Sequence, residues 1–174
     1  CQGGLPSRAF DYIINKCGGK VMLETDYPYT GTDDACQYDQ SKAIGHFTHF
    51  IQVESGNETD LALTCQQYGP CSIGIDASHV SFQLYSSGIY DEHGCMGRNV
   101  NHGVGLVGYG SENIHAGFVQ QYWIVRNSWD ESWGEVGYIR MLRGNNQCGE
   151  ASYATCIISE YILFLFLRYC FIIF

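Results

Sequence analysis

His102 stands in Val100-Asn101-His102-Gly103-Val104-Gly105-Leu106-Val107-Gly108-Tyr109-Gly110, and Asn127 opens Asn127-Ser128-Trp129, with Trp133-Gly134 just beyond. Each polar group adjoins an apolar, strand-like run rich in glycine or tryptophan. The chemistry open to such a pair is removal of a proton from a thiol. The imidazole takes that proton, and the resulting thiolate is nucleophilic below its free pKa of about 8.5. A side-chain oxygen on the far ring nitrogen fixes the tautomer, and Asn127 supplies one without adding negative charge. Trp129 and Trp133 would shield that hydrogen bond from water. A histidine on an apolar strand is more often an ordinary core residue; the two blocks together reverse that reading. The activated cysteine that would complete the set is not evident.

The elements that must position this pair are mostly short and β-prone. His46 to Val53, Ser72 to Asp76, Val104 to Tyr109, Tyr122 to Asn127 and Gly137 to Leu142 read as strands separated by glycine-rich loops, an antiparallel sheet or barrel. Two helices are expected. Ser7 to Cys17 is amphipathic, with Ser7 as cap, Ala9, Phe10, Ile13, Ile14 and Cys17 on one face, and Gly18-Gly19 as the stop. Glu58 to Gln67 has Asn57 as its N-cap and Asp60 where a side chain can bond back. Asn57-Glu58-Thr59 is also an N-glycosylation sequon. Ser111 to Gln121 reads as a long loop between two strands, and loop insertions of this kind are cheap.

Composition narrows the function. A net charge of −9 with only nine Lys and Arg argues against nucleic acid, which needs clustered cations. Nine cysteines point to an oxidising route through the secretory pathway, and the absence of any Cys-x-x-Cys argues against zinc. No metal and no cofactor are expected. Ile157 to Phe174 is almost wholly apolar, broken by Glu160 and Arg168. It falls short of the roughly 20 residues of a membrane span, so membrane attachment is disfavoured and a mistranslated end preferred.

On these motifs the chain resembles the papain family of cysteine peptidases, near the cathepsin L and cathepsin H groups. Val100 to Gly110 is similar to the family's histidine block, and Arg126-Asn127-Ser128-Trp129 with Trp133-Gly134 to its asparagine block. Cys1-Gln2-Gly3-Gly4-Leu5-Pro6-Ser7, Asp26-Tyr27-Pro28-Tyr29 and Asn145-Asn146-Gln147-Cys148-Gly149 resemble further family segments. The Asp76-Ala77-Ser78-His79 and Tyr85 to Tyr90 blocks favour cathepsin L. The resemblance implies an α+β papain-like fold, here incomplete. Residues 1–47 would be a remnant of the helical domain, 48–156 the antiparallel β-barrel-like domain carrying His102 and Asn127, and 157–174 an apolar tail foreign to the family.

It also implies roles. His102 would be the general base and Asn127 its orienter. Gly3 and Gly4 would hold an extended substrate through the backbone, while Leu5, Gly74, Val100, Gly103 and Tyr153 would line the pocket for the second residue before the scissile bond. Asn101 would offer its carbonyl near the cut, and Trp133 would flank the leaving group. Cys95 and Cys148 match a family disulfide. Cys65 and Cys71 read as buried thiols or an extra bridge, and Cys17, Cys156 and Cys170 have no recognised counterpart. The implied partners are peptide or protein substrates and protein inhibitors of cysteine peptidases, in a lysosomal or extracellular setting. The family's Cys-Gly-Ser-Cys-Trp nucleophile segment does not occur in these residues. The chain therefore reads as an N-terminally truncated peptidase, inactive as it stands. The alternative is an inactive fragment, pseudo-protease or peptide-binding module. Asp130 stands where the family has glycine.

Overall fold

The computed structural model describes residues 3–159 apart from 96, 98 and 116. The expectations for Cys1, Gln2, Cys170 and the apolar run past Ser159 lie outside the described residues. The chain divides into two compact units, one running to Ile51 and including the stretch from Ile157, the other Gln52–Cys156.

In the first unit α1, Pro6–Lys16, starts where the proline fills the first helical position, whose N–H has no intrahelical partner in any case. Leu5 rather than Ser7 is the N-cap, and no side chain caps it. Ser7 is the second helical residue instead, because Pro6 fixes the entry. Ile13 and Cys17 bury the predicted apolar face, and Phe10 packs on Phe50 of β1, Phe47–Gln52. Gly18 and Gly19 end the helix in the left-handed region. A Cβ on Gly19 would lie 2.1 Å from the Phe47 carbonyl oxygen, so only glycine fits there.

The second unit holds α2, Glu58–Tyr68; β2, Cys71–Ile75; α3, Val80–Gln83; β3, Ile89–Tyr90; β4, His102–His115; β5, Phe118–Arg126; β6, Tyr138–Leu142; and most of the chain leading to β7, Ala154–Ser159. The sheet order is β1-β7-β2-β4-β5-β6-β3. The β2–β4, β2–β7, β4–β5 and β5–β6 pairs are antiparallel, and β3 runs parallel to β6. This is a mixed α+β architecture. Along β5 burial alternates, with Trp123 and Val125 inside and Tyr122, Ile124 and Arg126 only half-buried, the period of a sheet with one covered face. The core joins these two to Leu61, Ile73, Ile75, Phe82, Leu106, Ile139 and Met141, all without exposed surface.

Several elements differ from the sequence reading. Ser111 to Gln121 is no loop: the β4–β5 ladder continues to His115 opposite Phe118. Polar residues there gave no strand signal, yet Arg140 pins the extension by bonding Glu112 and Glu135 together. Asn57 does cap α2, accepting from Asp60 N at 2.9 Å, but the Asp60 carboxylate returns to Glu54 N rather than to the cap residue. β3, α3 and β7 were not anticipated, and β7 carries the strand pattern through Ser159. Cys95 and Cys148 are bonded as the resemblance implied. Cys71, however, pairs with Cys156, leaving Cys65 a buried free thiol. The register explains the choice. Ser72 faces Thr155 and Ile73 faces Ala154, so Cys71 and Cys156 are direct cross-strand neighbours.

Candidate active site

His102 is the first residue of β4 and Asn127 follows the last residue of β5. Antiparallel pairing of those strands, with Gly105 opposite Arg126, brings the two side chains to the same end of the sheet. The His102 Nε2 lies 2.9 Å from Asn127 Oδ1. The same oxygen accepts the Ser128 backbone N–H at 2.8 Å. That second donor requires an oxygen, which settles the orientation of the amide. Nε2 then carries the proton it gives to Asn127, and Nδ1 is the ring nitrogen with a free lone pair. Asn127 is buried, and its Nδ2 has no hydrogen-bond partner among the described residues.

Aromatic rings back the pair. Trp129 lies against the imidazole with centroids 5.4 Å apart, while Phe82 meets the imidazole edge-on at 6.3 Å. Trp133 stands one ring further back, against Phe82 at 5.2 Å and Trp129 at 5.5 Å, with its Nε1 donating to Gln83 O. The cover expected from both tryptophans is thus given directly by Trp129, and Trp133 supports it from behind. Phe82 was missed because Val80–Gln83 is a single turn without helical periodicity.

Four of the residues assigned to substrate binding gather in the second unit. Gly74 is paired with Gly103 across β2 and β4. A Cβ on Gly74 would come within 2.6 Å of Val100 Cγ1 and 3.6 Å of Tyr153 Cβ, so these side chains enclose the glycine. Asn101 is exposed, and its N–H bonds Ile75 O at 3.0 Å. Gly3, Gly4 and Leu5 lie in the first unit, exposed, with Gly3 at φ +77°. Asp130 does occupy the left-handed region, at φ 70°.

Asp76, His79 and Cys95 present possible ligand atoms within 4.8 Å of one another. The Cys95 sulfur is bonded to Cys148 and Asp76 Oδ1 is taken by three donors, so this group is poorly suited to a metal.

Comparison with family models matches residues 1–158 to the papain family of cysteine proteases. The chain belongs to that family. It is 45% identical over 153 residues to a cathepsin L of Sarcophaga peregrina, covering 87% of this chain and 43% of that protein. Against cathepsin S of Mus musculus it is 44% identical over 156 residues, 89% of this chain and 44% of the other. Among solved structures, digestive procathepsin L 3 of the Tenebrio molitor larval midgut is similar, with a TM-score of 0.82 and 38% identity over 91% of this chain and 49% of that one. The papain-like α+β fold follows. The chain spans less than half the length of these relatives.

Proposed function

We propose that this chain supplies the base-bearing half of a cathepsin L-like cysteine peptidase. The observation that carries the reading is the 2.9 Å contact from His102 Nε2 to Asn127 Oδ1, which leaves Nδ1 as proton acceptor. His102 takes the thiol proton through Nδ1, and the thiolate adds to the scissile carbonyl. The imidazolium returns the proton to the leaving amine as the C–N bond breaks, giving an acyl-thioester that water hydrolyses. Asn127 holds the ring in place for both transfers. The nucleophile is assigned to sequence outside these 174 residues, in keeping with the share of its relatives that the chain spans.

The substrates in this reading are peptides and proteins held in extended form. Gly3 and Gly4 offer backbone groups, and Asn101 its carbonyl beside the cut. In the second unit Gly74, Val100, Gly103 and Tyr153 select the second residue before it, and Trp133 stands on the leaving-group side. Protein inhibitors of cysteine peptidases fit the same surface. Two disulfides suit a lysosomal or extracellular protein; among the described residues no helix is long and apolar enough to cross a membrane. Asn57 is proposed to carry a glycan: its cap uses Oδ1, and Nδ2, which donates one hydrogen to Glu54 Oε2 at 3.0 Å, keeps a second hydrogen that a sugar can replace.

The test compares the 174 residues alone with the protein extended upstream to include its nucleophile segment. The chain alone should show neither peptide hydrolysis nor turnover-linked labelling by an epoxide probe. The extended protein should show both, with a loss on the order of 10³-fold or more for His102→Ala and a smaller loss for Asn127→Ala. Full turnover in His102→Ala would overturn the assignment.

A further inference from the structure

Asn101, the residue immediately before His102, is exposed on one side but its side chain is held at both ends by the turn that follows β2. Its Oδ1 accepts the Ala77 N–H at 3.0 Å, and its Nδ2 donates to Asp76 Oδ1 at 3.2 Å. Asp76 is itself buried, and the same Oδ1 accepts from Ser78 N at 3.0 Å and Ser78 Oγ at 2.6 Å. Oδ2 faces His79 Nε2 at 4.0 Å, and the Asp76 N–H bonds Cys148 O. The turn is therefore anchored at the Cys95–Cys148 bridge on one side and leads on the other into α3, whose Phe82 rests against the His102 ring.

We infer that Asp76 is a positioning residue: through Asn101 it fixes where the chain enters β4, and hence where the His102 imidazole sits relative to Asn127. The inference rests on the role proposed for His102. Charge supports it. Burial acts to raise the Asp76 pKa, but the two Ser78 bonds, the Asn101 amide and nearby His79 outweigh burial and hold the carboxyl below its ordinary value. The clamp thus remains an ionised acceptor.

The experiment uses the full-length protein and follows kcat and KM separately. Asp76→Ala should lower kcat roughly tenfold with KM within about twofold, the pattern of a misplaced base rather than a lost binding contact. Asp76→Asn keeps an Oδ1 acceptor and should recover most of the rate. Asn101→Ala should reproduce the kcat loss while melting like the parent, which keeps the test decisive if Asp76→Ala fails to fold. The double alanine variant should be no slower than either single one. Additive losses, or an unchanged kcat in Asn101→Ala, would overturn the inference. His102→Ala runs alongside: activity surviving there sinks the proposed function itself, whereas a dead His102→Ala beside an unaffected Asn101→Ala sinks only the role of Asp76.

Discussion

Glu150 is the residue least at home in its surroundings. It has no exposed surface, and neither carboxyl oxygen finds a partner among the described residues. Its neighbour Glu58 is fully used as an acceptor, from Trp123 Nε1, Gly144 N and Asn146 N. Burial first, and the Glu58 charge after it, push the Glu150 pKa well above its ordinary value of 4.5. A carboxyl whose folded pKa is raised binds its proton more tightly folded than unfolded. Its contribution to stability is therefore complete below 4.5 and fades as pH climbs through the folded value. The depressed carboxyls Asp76, Glu92 and Glu135 work in the opposite sense, so the Glu150 contribution is read as the difference between the melts of the parent and of a Glu150 variant across pH. Glu150→Leu should raise stability near pH 7.5 by roughly 1–3 kcal/mol, while barely changing it in acid. An equal gain at both pH values would show that Glu150 does not control the slope. Nothing in Gly149-Glu150-Ala151 announces burial, because a single carboxylate among small residues reads as surface. His102 and Asn127 were legible for the opposite reason, since their glycine and tryptophan neighbours form an unusual local pattern.

At the scale of elements, the β6 hairpin turn carries strain. Glu135 and Tyr138 exchange backbone hydrogen bonds across Val136 and Gly137, at φ 56° and 85°. Positive φ at both central positions is the turn type that suits twisted hairpins, and asparagine before glycine suits it best. A β-branched valine does not belong there. Its side chain is 64% exposed, so it gains little from burial. Val136→Asn should raise stability by about 1 kcal/mol, readable as a higher denaturant midpoint with an unchanged slope. A lower midpoint would mean that the valine makes a contact outweighing its backbone strain. This register was partly readable in advance, since Gly137 opened a predicted strand. The β4–β5 extension was not, because its stability rests on Arg140 reaching Glu112 and Glu135 across three strands, a contact that exists only once the sheet is assembled.

For the whole molecule, the Cys71–Cys156 bridge joins residues 85 apart, and Cys95–Cys148 joins residues 53 apart. On the chain-entropy estimate each closure is worth roughly 4–5 kcal/mol. Replacing Cys71 and Cys156 together by alanine should lower stability by about 2–5 kcal/mol under non-reducing conditions and make the melt less sensitive to added dithiol. A parent protein whose melt ignores the loss of both sulfurs would show the pair is unlinked in solution. The second cysteine pair could be anticipated from a family pattern, whereas the first depends on strand register. β7 straddles the boundary drawn between the β-rich domain and the apolar tail and was not read as a strand, so the bridge open to Cys71 in the sequence was to Cys65 rather than to Cys156. Turn spacing and strand periodicity made an antiparallel sheet or barrel legible, and the family resemblance added the α+β class and the Cys95–Cys148 bridge; the cross-strand Cys71–Cys156 bridge was legible from neither.

The cross-strand bridge bears on how preparations should be judged. Protein made where thiols stay reduced would leave two sulfhydryls facing each other inside the sheet, and Cys65 nearby in sequence as a competitor for either of them. Such a sample could oxidise into the wrong pairing on standing while its mass changed by only two hydrogens. Peptide mapping without reductant, rather than intact mass, is what would distinguish a correctly riveted batch from a scrambled one.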